Sequence, residues 1–226
     1  MNAMVYGIAT REWDGWRDCA ESWARTAHDW HPQIVALDMN IVAAFDKIYH
    51  GTVEPVIAYI HDDVMIYEQD WDLRVLGAFE DPEVGVVGFG GALGHGAPHL
   101  YAVPYHLPNL ARQQFMSNLR DAERHGARFT GERDVAILDG FALFVRRTVL
   151  DQWGGWDHPG VGYFMYSENL CCEARRQGYR IRLVGVDCEH LGGKTVGKVP
   201  LDDDYQEAHR IFYENNKDMM PYRVPE

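Results

Sequence analysis

Residues 56–63 of this chain run Val-Ile-Ala-Tyr-Ile and then His61-Asp62-Asp63. An apolar run of this length, rich in β-branched and aromatic residues, reads as a buried strand. In open α/β sheets, ligands sit in the crevice beyond the carboxyl ends of the strands. The chain therefore delivers His61, Asp62 and Asp63 to such a crevice. Adjacent carboxylates repel, and crowding them is favourable mainly around a cation. Oxygen ligands suit Mg2+ or Mn2+, ions that commonly carry substrate phosphates. The motif points to a metal–diphosphate site, with a solvated Asp-Asp turn as the alternative.

The flanking sequence alternates strand and helix patterns. Met4–Thr10 reads as a first strand, followed by a polar loop in which Asp14 caps a helix over Trp16–His28. Trp16, Ala20, Trp23 and Ala27 recur at three- and four-residue spacing and form that helix's core face. Gln33–Asp38 is a second strand ending in a carboxylate, and Asn40–Tyr49 a second helix stopped by Gly51. Pro55 opens the strand leading to His61. Trp71–Phe79 reads as helix and Val84–Phe89 as strand. Gly90–Pro108 reads as a long Gly/Pro/His loop and Asn109–His125 as a polar helix. Ala136–Val145 holds two short strand-like runs around Asp139-Gly140. Ser167–Gln177 is a helix closed by Gly178, and Tyr179–Val186 a last strand before Glu189-His190. This alternation predicts βαβ units and a mainly parallel sheet.

The formal net charge of −13 argues against a broad electrostatic grip on nucleic acid. It also makes a polyanionic ligand hard to hold unless a divalent cation helps. No apolar segment approaches the roughly 18–20 residues of a membrane span, and Met1-Asn2-Ala3-Met4 shows no signal-peptide pattern. Cys19, Cys171, Cys172 and Cys188 make no Cys-x-x-Cys pair, so a reduced, cytoplasmic protein is expected.

Four stretches in order resemble the GT-A fold glycosyltransferases, and glycosyltransferase family 2 in particular. They are the first two strands with Thr10 and Asp38, then Ile60-His61-Asp62-Asp63-Val64. The third is Asp139-Gly140-Phe141 through Arg147, with Gly154-Gly155-Trp156-Asp157 after it. The fourth is Tyr163-Phe164-Met165-Tyr166-Ser167-Glu168, with the later Gly178-Tyr179-Arg180 and His190. The resemblance covers about residues 4–195, leaving 196–226 as a tail expected to pack on or near that domain. It implies a Rossmann-like three-layer sandwich and a metal-dependent transfer of sugar from a nucleoside-diphosphate sugar to an acceptor hydroxyl, with inversion. It places Asp63 and His190 as ligands to Mn2+ or Mg2+. His61 stands where the family's Asp-x-Asp motif has its first acid; imidazole can ligate Mn2+ or hydrogen-bond a ribose. Thr10, Asp38, His61, Asp62 and Lys194 fall on the nucleotide-sugar side, and Asp139, Gly140 and Trp156 on the acceptor side.

Inverting transfer needs a carboxylate to take the acceptor's proton. The family supplies it from a Glu-Asp pair, where this chain has Ser167-Glu168-Asn169. Glu168 is the candidate base and Asp157 the reserve. His95, His99 and His106 lack familiar ligand spacing, and Asp202-Asp203-Asp204 reads as a solvated turn or helix start. Two other classes fit parts of the pattern: a nucleotidyltransferase, and a catalytically silent nucleotide- or carbohydrate-binding module, the latter because of Asn169. The acceptor is open among a glycan, a protein, a lipid carrier and a modified nucleic-acid base.

Overall fold

The computed structural model describes residues 3–10, 15–95, 112–124, 126–156, 164–192, 203–220 and 222–224. Strand β1 (Met4–Thr10) pairs in parallel with β2 (Gln33–Leu37) on one side and β3 (Val56–Ile60) on the other. The crossovers are the helices α1 (Trp16–Thr26) and α2 (Ile41–His50). After β3 come a short strand β4 (Val64–Ile66), helix α3 (Trp71–Ala78) and strand β5 (Val84–Gly88). Next are β6 (Gly90–His95), β7 (Arg112–Ser117), β8 (Ala127–Arg128), β9 (Glu132–Asp134), β10 (Ile137–Leu138) and β11 (Ala142–Arg146). Helices α4 (Arg147–Trp153) and α5 (Tyr166–Arg176), strands β12 (Arg180–Val184) and β13 (Cys188–His190), helix α6 (Asp203–Asn216) and strand β14 (Tyr222–Arg223) complete it.

The main sheet has the order β2-β1-β3-β11-β5-β12-β9. β11 runs antiparallel to β3 and β5, and β9 antiparallel to β12; the other pairings are parallel. Alternation along the strands divides the core. Met4, Tyr6 and Ile8 of β1 and Val56, Ala58 and Ile60 of β3 pack with Trp23 of α1 and Trp71 of α3. Val5, Ile57 and Tyr59 face the other way, onto Phe45 and Ile48 of α2 and Leu170 and Ala174 of α5. The molecule is thus a three-layer α/β sandwich, as expected. All four cysteines are buried and free.

The segments flanking β5 depart from expectation. Gly90–His95 is a strand rather than the start of a loop, and the polar stretch expected as a helix contains β7 instead. The two pair antiparallel from Gly90↔Ser117 to His95↔Arg112, in a second sheet of order β10-β6-β7-β8. Glycine is what permits this: a Cβ on Gly90 would lie 2.8 Å from Phe141 Cε1 and 2.9 Å from Phe115 Cζ. Asp14, the expected cap of α1, lies outside the described residues, as do His99, His106 and Asp202. His95 is buried with its ring 5.4 Å from that of Phe212, a core position. The tail holds α6, whose Phe212 packs with Met165 and Cys172.

One buried charge ties the loop after α1 to α3. Asp72 is 0% exposed. It accepts from His28 N (2.7 Å) and Asp29 N (3.0 Å) and lies 3.0 Å from His31 Nε2. Burial pushes its carboxyl up, but these hydrogen bonds outweigh burial and hold it down at about 2. A depressed carboxyl stabilises the fold fully above its ordinary range, and that contribution is lost as pH falls toward 2. Asp72→Asn is expected to cost about 1–3 kcal/mol at neutral pH by leaving buried donors unsatisfied. In urea denaturation the gap between variant and parent should narrow as pH is lowered from 5 towards 2.

Candidate metal and nucleotide site

Strands β1, β2 and β3 run the same way, so their carboxyl ends, at Thr10, Leu37 and Ile60, lie along one edge of the sheet. Because β11 runs antiparallel to β3, with Ala142 opposite Ile60, its amino-terminal turn reaches the same edge. His61 N donates to Phe141 O there (2.9 Å). The chain turns tightly after β3, with Val64 N bonded to His61 O (3.2 Å). β13 then pairs with β4, setting His190 opposite Val64, and Leu191 N donates to Asp63 O (2.8 Å). His61 and Asp63 come together through this turn rather than through the alternation of an extended strand.

The outcome is a cluster in which one ligand atom each of His61, Asp63 and His190 lie within 4.8 Å of one another. Asp63 is 8% exposed, and its Oδ1 lies 3.1 Å from His190 Nε2. The His190 ring stacks on Phe141 at 5.4 Å between centroids. His61 Nε2 lies 2.6 Å from the Tyr166 hydroxyl. Burial, followed by the neighbouring His190, lowers the His61 pKa to about 4, which leaves its imidazole neutral at pH 7. Burial pulls His190 down as well, but Asp63, then Asp139 and Asp121, raise it overall. Burial pushes Asp63 up, and the His190 contact outweighs that and lowers it. Two imidazoles and one carboxylate fit a divalent ion that accepts nitrogen, such as Mn2+, better than Mg2+, which favours oxygen.

The other residues singled out in the sequence have the following surroundings. Thr10 is buried at the end of β1. Asp38 is exposed just beyond β2 with φ +52° and donates its N–H to Thr10 O (3.0 Å). Asn40 caps α2, accepting from Ala43 N (2.9 Å). Asp62 is half-buried between His61 and Asp63. Asp139 accepts from Phe141 N (3.2 Å), and its charge acts on both imidazoles. Trp156 is 0% exposed and packs against Phe45, Tyr59, Trp153 and Tyr166, which places its ring inside an aromatic cluster of the core. Glu168, 5% exposed in the first turn of α5, accepts from the Ser167 hydroxyl (2.8 Å) and is not part of the His-Asp-His cluster. Asp157 and Lys194 lie outside the described residues.

Asn169 has an evident structural use. Its amide donates to Met165 O (2.9 Å) and accepts from Asn216 Nδ2 (2.9 Å), clipping α6 to α5. A carboxylate there would lack the N–H for the first bond. Sequence reasoning missed the roles of Tyr166 and Phe141, which are legible only as tertiary contacts.

A model of the glycosyltransferase-like family matches residues 31–216. No curated protein matches the chain. Among solved structures, GalNAc-T7 with UDP, GalNAc and Mn2+ is similar at a TM-score of 0.63 and 10% identity, over 95% of this chain and 50% of that one. The mannosyltransferase PcManGT from Pyrobaculum calidifontis, in complex with GDP-Man and Mn2+, matches at 0.47 and 15% identity, over 98% of this chain and 56% of that one. A197 from STIV matches at 0.47 and 12% identity, over 80% and 81%. The chain thus spans about half the length of GalNAc-T7 and 56% of PcManGT. Only the first of these likenesses is close enough to speak to the fold.

Gly140 is the point at which the site is most tightly built. A Cβ there would lie 2.1 Å from the Tyr166 hydroxyl oxygen and 2.5 Å from its Cζ. Gly140→Ala is expected to displace the Tyr166 ring and to destabilise the protein by about 1–3 kcal/mol, the scale of overpacking in a filled core. Chemical denaturation of the variant against the parent checks this.

Proposed function

This chain belongs to the glycosyltransferase-like family, and we propose that it moves a sugar from a nucleoside-diphosphate sugar to an acceptor hydroxyl with the help of a divalent metal ion. Its fold is the GT-A fold. The observation that carries the metal-dependent reading is the convergence of His61, Asp63 and His190 at the carboxyl edge of the parallel strands. That is where an α/β sheet receives its ligand. GalNAc-T7, similar in fold, was solved with UDP and Mn2+; the donor set here suits the same ion.

Asp63, His190 and His61 would hold the ion, which, when bound, stabilises charge developing on the leaving diphosphate. His61 presents a neutral imidazole at pH 7. Thr10 and Asp38, on the β1–β2 half of the edge, would receive the nucleoside, with Asp62 and Lys194 on the same donor side. Asp139 and Gly140 face the cluster from the β11 side and would border the acceptor. Glu168 would take the proton from the attacking hydroxyl, with Asp157 in reserve; inversion follows from the resemblance to family 2. Nitrogen ligands favour Mn2+ over Mg2+.

A thermal-shift panel of nucleoside diphosphates and their sugars, with and without Mn2+, tests the reading, since a ligand bound only by the folded state raises its stability. Asp63→Asn should keep the metal-free melting temperature near that of the parent and abolish both Mn2+-dependent nucleotide binding and transfer. Unchanged Mn2+-dependent affinity in that variant would remove Asp63 from the site. Glu168→Gln should retain donor binding while turnover drops roughly 10²–10⁴-fold, the scale of general-base loss. At saturating donor, Asp157→Asn should remain much more active; the reverse ranking would transfer the base role to Asp157.

A further inference from the structure

We propose that Tyr166 is a positioning residue for the metal site: its hydroxyl engages Nε2 of His61, fixes the orientation and tautomer of the imidazole, and leaves Nδ1 as the nitrogen that serves the cation. The proposal rests on the metal-dependent reading above and deepens it.

Four observations carry it. The Tyr166 hydroxyl lies 2.6 Å from His61 Nε2, while the two ring centroids are 6.4 Å apart. At that separation the phenol points its oxygen almost straight along the line to Nε2, so this nitrogen is directed at Tyr166. The Tyr166 ring is itself held by Phe45 and Trp156, at 5.6 and 6.4 Å between centroids. The third observation is Gly140: any side chain there would intrude on the space that the hydroxyl fills, because even a Cβ would collide with its oxygen. The His61 backbone is fixed independently by its bond to Phe141 O. The imidazole is therefore held at its base and at its tip.

The chemistry explains why this residue matters here. A carboxylate offers two equivalent oxygens, and no proton has to be placed before it binds a cation. A neutral imidazole carries one N–H and one lone pair, and which nitrogen has which is set by the hydrogen bond of the other. His61 occupies the position of a carboxylate in the motif it resembles, so the site gains a requirement for tautomer control. Tyr166 meets it when Nε2–H donates to the phenol oxygen and Nδ1 keeps its lone pair. Outer contacts of this kind typically govern metal affinity by roughly 10–100-fold.

The test compares the parent chain with Tyr166→Phe, both without donor. Phenylalanine keeps the ring packing and removes only the hydroxyl. Mn2+ affinity is read from the electron paramagnetic resonance signal of free Mn2+, and stability from the thermal midpoint of the metal-free protein. The His61 tautomer is read from 15N shifts, assigned against His61→Gln. The expected result is a thermal midpoint within a few degrees of the parent, Mn2+ affinity weaker by roughly 10–100-fold, and a His61 signal that changes from a single Nε2–H tautomer to a mixture. Unchanged Mn2+ affinity in Tyr166→Phe beside a parent that binds would overturn the positioning role alone. So would a single tautomer that survives the substitution. A parent that binds no Mn2+ would overturn the metal-dependent reading, and this proposal with it.

Discussion

The site depends on one antiparallel insertion: β11 lies between β3 and β5, against the direction of both. Were the strand parallel, its amino end would sit at the opposite edge of the sheet. Run in reverse, it brings Asp139, Gly140 and Phe141 to the carboxyl end of β3, where Phe141 O fixes His61 N and the Phe141 ring stacks on His190. Gly140 then gives Tyr166 room to reach His61. The strand that completes the core is also the strand that assembles the cluster.

Electrostatics at the cluster divides labour between two imidazoles of similar intrinsic basicity. Burial and the neighbouring His190 leave His61 neutral, whereas Asp63, Asp139 and Asp121 raise His190 and pair it with Asp63. The pair keeps a buried carboxylate satisfied, which an isolated charge at this depth would not be. A divalent cation can take over the same work, because it offers the carboxylate a stronger partner and needs both imidazoles unprotonated. His61, Asp63 and His190 together form a donor set that fits such an ion.

The carboxyl-terminal helix is joined to the same framework. Asn169 and Asn216 link α5 to α6, and Arg176 donates to Asn216 Oδ1 (3.0 Å), Asn215 O (2.9 Å) and Asp218 Oδ1 (3.0 Å). Since Tyr166 and Glu168 open α5, the helix that carries them is braced at both ends: by the His61 contact at its start and by α6 farther along. The asparagine standing where the resembled family has an aspartate is accounted for by this brace, whatever it does in chemistry.

The strand ending in His61-Asp62-Asp63, the alternation of strands and helices and the apolar stripe of α1 were legible in the sequence, because two-fold and 3.6-fold periodicities record burial residue by residue. Those signals are local and point to βαβ units with a mainly parallel sheet; the three-layer sandwich and the late His190 were read instead from the resemblance of four ordered stretches to glycosyltransferase family 2. The strands β6 and β7 were not legible: a glycine-rich run and a polar run carry little intrinsic strand preference, and it is their pairing within the second sheet, with each other and with β10 and β8, that makes them strands. Nor could the sequence show that Trp156 is sealed inside an aromatic cluster, or that Tyr166 reaches His61 across 105 positions of chain. Such contacts are set by how the layers close, and closure is a property of the whole packed core, not of any window along the chain.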